Sequence, residues 1–166
     1  MELLYDSYQA PVGLIYIVMN SSGVVGVAIT EEIWNAWKAK SGEIHRDPEF
    51  CRQAITQLEE YFTGKRRNFS VPLSIQGPLF SQKVWRELLR IPFGETCSYG
   101  DIARAIGQPG SCRAVGQANR RNPLPIFIPC HRVIGKDGAL TGYLGKQGLT
   151  TKQYLLEMER SFSTKK

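Results

Sequence analysis

The chain has 166 residues, 42% of them apolar and 22% charged, a balance that excludes a disordered polypeptide and allows one ordinary domain or two small ones. The longest apolar run, residues 12–19, is too short to cross a bilayer. The first ten residues carry Glu2 and Asp6 and lack a basic start and a cleavage site, so no secretory signal is expected. Cys51, Cys97, Cys112 and Cys130 form no CxxC pair and there are only two histidines, which argues against a zinc site or a disulfide framework and fits a reducing cytoplasm. The net charge of +6 is unevenly divided: residues 1–80 carry a net −2 and residues 81–166 a net +8. A positive excess confined to one half points to a polyanion, nucleic acid first. A merely soluble basic surface explains the charge equally well.

The first third reads as strands at 3–8, 12–19 and 24–30, separated by Pro11-Val12-Gly13 and Asn20-Ser21-Ser22-Gly23. A helix is expected over 48–62, with Asp47 as cap and Pro48 first. Phe50, Ala54, Ile55, Leu58, Tyr61 and Phe62 would share its inward face. Gly64 and Lys65-Arg66-Arg67 end it, and 69–75 reads as a further short strand. This is a small sheet with a helix on it, and nothing in it is catalytic.

Gln76-Gly77-Pro78 marks the best boundary, giving domains 1–77 and 78–166. Beyond it Phe80, Val84, Trp85, Leu88 and Leu89 line one helix face, which stops at Ile91-Pro92. Ser98-Tyr99-Gly100-Asp101 caps a second helix with Ile102, Ala103 and Ile106 inward, closed by Gly107. A third starts at Ser111, with Ala114, Val115 and Ala118 inward and Arg113, Gln117, Asn119 and Arg120 exposed. Two short helices joined by a tight glycine-containing turn make a helix-turn-helix. Residues 126–128 read as a buried strand, and Asp137-Gly138 with Ala139-Leu140 as a hairpin resembling the wing of a winged-helix domain. A last helix is expected over about 150–160, before a frayed basic tail.

Cys130 is the sharpest residue. It follows an apolar run and precedes His131 and Arg132, groups that favour thiolate over thiol. In an extended segment, however, neighbours point to opposite sides, so His131 would reach the sulfur only through a water. The local residues therefore leave two readings open, a reactive thiolate and a buried inert cysteine.

The longer string from Asn122-Pro123 through Pro129-Cys130-His131-Arg132-Val133 to Gly135 closely resembles the signature of the O6-alkylguanine-DNA alkyltransferases, also called methylated-DNA–protein-cysteine methyltransferases. The segments Ile91-Pro92-Phe93-Gly94-Glu95-Thr96, Ser98-Tyr99-Gly100, Arg113-Ala114-Val115-Gly116 and Leu140-Thr141-Gly142-Tyr143 are similar to the family's, in its order. Tyr61-Phe62-Thr63-Gly64 resembles a weaker N-terminal signature. The resemblance implies an α+β fold: a small ribonuclease-H-like α/β domain of sheet and helix, then a helical winged helix-turn-helix domain.

It also implies direct-reversal repair of DNA without a cofactor or metal. The helix-turn-helix binds duplex DNA carrying O6-alkylguanine in its minor groove, and the damaged base is flipped out, because its alkyl carbon is otherwise inside the stack. Cys130 then takes the alkyl group once and keeps it. Carried over, His131 is the base acting through a water and Glu159 its orienting acid. Tyr99 rotates the target phosphate and protonates the leaving guanine. Arg113 fills the vacated stack, and Gln117 and Arg120 join it on the DNA face. Asn122 ties the recognition helix to the active-site turn, and the Val133 carbonyl meets the base. Tyr143 and Leu144 form the pocket lip. There the run Leu144-Gly145-Lys146-Gln147-Gly148 departs from the family's small residue and two glycines, leaving tolerance of bulky adducts open. The cysteines of a zinc site found in some relatives are absent. Membrane contact is not expected, and the protein is expected to be a monomer, with cooperative binding on DNA left open.

Three rivals differ in class. An alkyltransferase-like lesion sensor lacks the reactive cysteine, which is present here. A cysteine hydrolase needs an oxyanion hole and a base facing the sulfur. A plain winged-helix DNA-binding protein leaves the Pro129–Arg132 run unexplained.

Overall fold

The computed structural model describes residues 2–136, 138 and 145–164, with residues 145–149 described by backbone alone. The chain is α+β and divides into two compact units, residues 1–75 and 76–166. The division falls two residues before the boundary expected from the sequence. Gly77 lies against the Trp85 ring, so close that a Cβ there would stand 3.0 Å from it, which places Gly77 with the second unit.

The first unit is a four-stranded sheet of order β3-β2-β1-β4. β1 (Leu4–Ala10), β2 (Gly13–Asn20) and β3 (Gly23–Ala28) form an antiparallel meander, and the short β4 (His45–Arg46) pairs parallel to β1. Side chains alternate across a strand, so Tyr5, Tyr16 and Val18 share one face, while Tyr8, Ile15 and Ile17 belong to the other. Helix α1 (Glu31–Ser41) covers the first: Trp34 stacks on Tyr16 with ring centroids 4.3 Å apart and tilts on Tyr5 at 4.7 Å. Helix α2 (Arg52–Phe62) covers the second, where Phe62 meets Tyr8. A sheet covered on both faces buries consecutive residues, which is why 17–20 of β2 are all buried rather than alternating.

Three expectations for this unit need correction. α1 was not foreseen, although Thr30 caps it by accepting from the Ile33 N–H at 3.1 Å and Glu31 and Glu32 suit its positive end. The second helix starts at Arg52, because Asp47 spends its cap on the Phe50 N–H at 3.0 Å and closes a separate turn; Phe50 is left 43% exposed rather than inward. Residues 69–75 form a single bridge between Val24 and Leu73 instead of a strand. Pro72 has no N–H to give a ladder, although its carbonyl accepts from Val24 at 2.9 Å.

The second unit is helical. It holds α3 (Leu79–Leu88), β5 (Cys97–Ser98), α4 (Tyr99–Ala105), α5 (Cys112–Arg120), a 3-10 turn (Cys130–Arg132), β6 (Val133–Ile134) and α6 (Gly145–Thr164). The expected capping box at Ser98 and Asp101 is present in both directions. α4, the turn through Gly107 at φ +77° and α5 form the helix-turn-helix, which packs on α3. The Trp85 indole N–H donates to the Ala118 carbonyl at 2.8 Å.

β5 and β6 pair in parallel, Cys97 with Val133 and Ser98 with Ile134, so the start of α4 is tied directly to the turn that carries Cys130. Leu89 lies beyond the end of α3 and is 41% exposed rather than inward. On α5, Ala114 is exposed and Asn119 buried, the reverse of the expectation. α6 is longer than expected by several residues at each end. The hairpin expected as a wing, with Ala139 and Leu140, lies outside the described residues.

Candidate active site

Residues 122–132 form a braced loop rather than the expected strand. The Asn122 carboxamide spans it, its Oδ1 accepting from the Leu124 N–H at 2.9 Å and its Nδ2 donating to the Ile128 carbonyl at 2.8 Å. Between these anchors Ile126, a β-branched residue, is held at φ +78°. That conformation is costly for such a side chain and persists only where the surroundings over-determine it. Pro129, at φ −78° and ψ 63°, centres an inverse γ-turn closed by the Cys130 N–H on the Ile128 carbonyl at 2.7 Å. The proline ring presets that φ. The chain then enters the 3-10 turn, where the Arg132 N–H donates to the Pro129 carbonyl at 3.0 Å. Asn119 of α5 donates from Nδ2 to the Cys130 carbonyl at 3.3 Å, so the second helix of the helix-turn-helix holds the Cys130 peptide.

Because the segment is a turn, the side chains of Cys130, His131 and Arg132 all point inward. Glu159 of α6 is their common anchor and is fully buried. Its Oε2 lies 2.7 Å from His131 Nε2 and accepts from Arg132 Nη2 at 3.0 Å. Its Oε1 accepts from Arg132 Nε at 2.8 Å and from the Gly94 N–H at 3.1 Å. Arg132 also donates to the Ile91 carbonyl at 2.7 Å and lies over the Phe93 ring. Gly94 is required twice: it sits at φ +82°, and a Cβ there would come within 2.1 Å of Ser163 Oγ.

Burial alone would raise the Glu159 carboxyl, but its bonds to His131 and Arg132 outweigh it and hold the group well below the carboxylate range. An ionised Glu159 makes His131 Nε2 the donor, leaving Nδ1 as a buried acceptor with no protein partner among the described residues. Desolvation, helped by the charges of Arg132 and Lys152, lowers the His131 pKa below 6.5 despite Glu159. The imidazole is therefore neutral at physiological pH and able to accept a proton.

Both shifts carry the same sign for stability. A histidine lowered on folding and a carboxylate lowered on folding each support the native state above their ordinary values and lose that support as pH falls. Stability of this unit is expected to decline from about pH 6.5 downward and more steeply below about pH 4.5. Urea melts over pH 4–8 check this; a midpoint that stays level across the range contradicts it.

Burial pushes the Cys130 thiol up to about 11, opposed by a hydrogen bond from Asn122 and by the charge of Lys152. The expectation that Arg132 and His131 favour the thiolate is thus corrected: Arg132 is committed to Glu159 and the neutral His131 supplies no charge. Lys152, absent from the sequence reading, does. It is fully buried on α6, and its Nζ donates to the Val133 carbonyl at 2.5 Å. An apolar-faced helix hides such a lysine from pattern reading, since lysines are normally solvated.

Tyr99 opens α4, half-buried, with its ring over Gly116 of α5. Arg113, Gln117 and Arg120 are exposed on α5. A cleft of about 590 Å³ at the start of α4 is lined by Tyr99, Arg104, Cys112 and Lys136 among others. Tyr143 and Leu144 lie outside the described residues. All four cysteines are free, and among the described residues no cluster of histidine, cysteine and carboxylate groups could hold a metal.

Residues 79–161 match the DNA-binding domain of 6-O-methylguanine DNA methyltransferase, and residues 3–75 match its ribonuclease-like domain. The chain belongs to the methylated-DNA–protein-cysteine methyltransferase family. It is 47% identical over 157 residues to the constitutive methylated-DNA–protein-cysteine methyltransferase of Bacillus subtilis, covering 94% of each chain. It is 41% identical to the enzyme so named from Methanosarcina acetivorans, over 96% of this chain and 99% of that one. Among solved structures, Mycobacterium tuberculosis OGT in complex with DNA superposes with a TM-score of 0.85 at 41% identity, covering 96% of this methyltransferase and 94% of that chain.

Proposed function

We propose that Cys130 is the acceptor in direct-reversal DNA repair: the protein takes the alkyl group from O6-alkylguanine in duplex DNA and keeps it as a thioether. The observation that carries this is the buried relay, with Cys130 and His131 on one 3-10 turn and His131 locked by Glu159 at 2.7 Å with Nδ1 left as acceptor. The resting thiol is protonated. As the flipped base enters, a water passes the thiol proton to His131 Nδ1, and Glu159 stabilises the imidazolium that forms. The sulfur attacks the alkyl carbon in line, an S–C bond forms, and the C–O6 bond breaks with its electron pair going to the guanine. The Tyr99 hydroxyl supplies the proton the guanine needs, and the Val133 carbonyl meets the base edge. No cofactor enters this balance.

Positive charge supports the partner. Arg113, Gln117 and Arg120 are exposed on the recognition helix, while Arg132 and Lys152 face inward, so the surface of this unit is less basic than its +8 half suggests. No helix among the described residues is long and apolar enough to cross a membrane. The reading is of a monomer acting on DNA in the cytoplasm.

Incubation with a duplex containing one O6-methylguanine should add one methyl to the intact protein mass, on the Cys130 peptide. Cys130→Ser should abolish the gain and still bind DNA, since a serine hydroxyl is barely ionised near neutral pH. Tight lesion binding by reduced protein with no mass change would establish a sensor instead. Repair of several lesions per Cys130 thiol would contradict single use.

A further inference from the structure

We propose that Lys152 is a positioning residue for the transfer, its buried ammonium serving as the electrostatic complement of the Cys130 thiolate while it clamps the Val133 carbonyl. The inference rests on the reading of Cys130 as the alkyl acceptor and adds a residue that the Cys130–His131–Glu159 relay does not include.

Three observations converge on it. Lys152 is a lysine with no exposed surface, an arrangement rare enough to require a specific cause. Its Nζ lies at the far end of the turn that carries the nucleophile, 2.5 Å from the Val133 carbonyl oxygen. Burial lowers the Lys152 ammonium to about 8, still charged at neutral pH, and against that burial the charge coupling is reciprocal: the ammonium favours the thiolate, and the thiolate favours the ammonium.

The charged groups facing Cys130 come from two elements. Arg132 and His131 lie on its own turn, and Glu159 and Lys152 on α6. Among the described residues, the buried side chains of this unit that carry formal charge at neutral pH are Arg132, Glu159 and Lys152, a net of one positive charge. Ionising Cys130 brings that interior to neutrality. Protonating His131 without ionising Cys130 would raise it to two, so Lys152 couples the charging of His131 to the formation of the thiolate. Low effective dielectric makes such a charge felt over distances at which solvent would screen it. The same ammonium fixes the carbonyl that meets the base, which links thiol ionisation to the geometry of the pocket.

The test uses the full-length protein and iodoacetamide, with the rate of modification read on the Cys130 peptide by mass spectrometry across pH. Lys152→Gln keeps a donor for the Val133 carbonyl and removes the charge. It is expected to move the Cys130 profile up by at least about one pH unit and to slow modification at pH 7 about tenfold. A folded Lys152→Gln protein with the wild-type profile overturns the proposal, because a purely structural clamp would leave the thiol unmoved. Should the variant fail to fold, the wild-type protein decides. The Lys152 side chain, followed by NMR with labelled lysine, should sense the ionisation of Cys130 as a second step at high pH, and that step should vanish once Cys130 has been methylated. An unchanged Lys152 titration overturns the proposal. Methyl transfer from DNA is measured on the same samples. Its absence in the wild type would refute Cys130 as acceptor, whereas transfer with an unmoved thiol profile would refute only Lys152.

Discussion

Glu159→Gln is expected to destabilise the second unit by about 3–5 kcal/mol, the cost of breaking a buried ion pair from one side. The replacement matches Glu159 in shape, so no cavity opens. What changes is charge: Arg132, only 5% exposed, loses the carboxylate that accepts from both its Nε and its Nη2. The amide can accept through one atom only, so either the Gly94 N–H and Arg132 or the His131 Nε2–H faces an NH2 group. Denaturant melts of the variant should show the loss, with the decline below pH 4.5 removed because the titrating carboxyl is gone. Pairing the change with Arg132→Met should recover part of the stability, as removing both charges avoids the uncompensated one. Stability within about 1 kcal/mol of wild type would mean that the pair contributes little. The variant should also shift alkyl transfer by the folded fraction to higher pH, since His131 loses the group that orients it and stabilises its protonated form.

How much of this arrangement was legible in the sequence depended on how local its cause is. The capping box at Ser98 was readable because both partners lie within four residues. The helix-turn-helix followed from apolar spacing and Gly107. The pairing of His131 with Glu159 came from the resemblance alone, for no local pattern joins residues 28 positions apart, and the structure places the two side chains 2.7 Å apart. The turn at 126–132 was hidden by its composition. Ile126-Phe127-Ile128 has the apolar, β-branched make-up of a strand, but Asn122 and Pro129 impose a geometry that leaves Ile126 at positive φ. Propensity lost there to side-chain hydrogen bonds and a fixed proline ring. Asn119 was misread for a related reason: a polar residue on a recognition helix is expected outside, yet it turns in to hold the Cys130 carbonyl. Lys152 was missed because burial of an ammonium depends on a tertiary partner, here a carbonyl 19 residues earlier.

Arg113→Ala is expected to cripple repair of duplex DNA while sparing reaction with a free base. Arg113 is exposed near the start of α5, where a long planar cation can enter the space left by a flipped nucleotide and stack there. Unstacking a base costs a few kcal/mol, which the intruding side chain offsets. Its loss should therefore slow duplex repair by about two orders of magnitude or more, each 1.4 kcal/mol being roughly tenfold. Free O6-substituted guanine needs no flipping, so its slower reaction with Cys130 should change little. The competing role, a phosphate contact, makes a different set of demands. It predicts weaker binding at every salt concentration, a shallower dependence on salt, and full recovery of rate once the protein saturates the DNA. Single-turnover repair at saturating protein separates the two. A saturated Arg113→Ala protein that repairs as fast as wild type would reduce Arg113 to one more cation on a basic surface. A defect that persists at saturation, with the free-base reaction intact, would locate the loss in the extrusion of the base, upstream of the chemistry at Cys130.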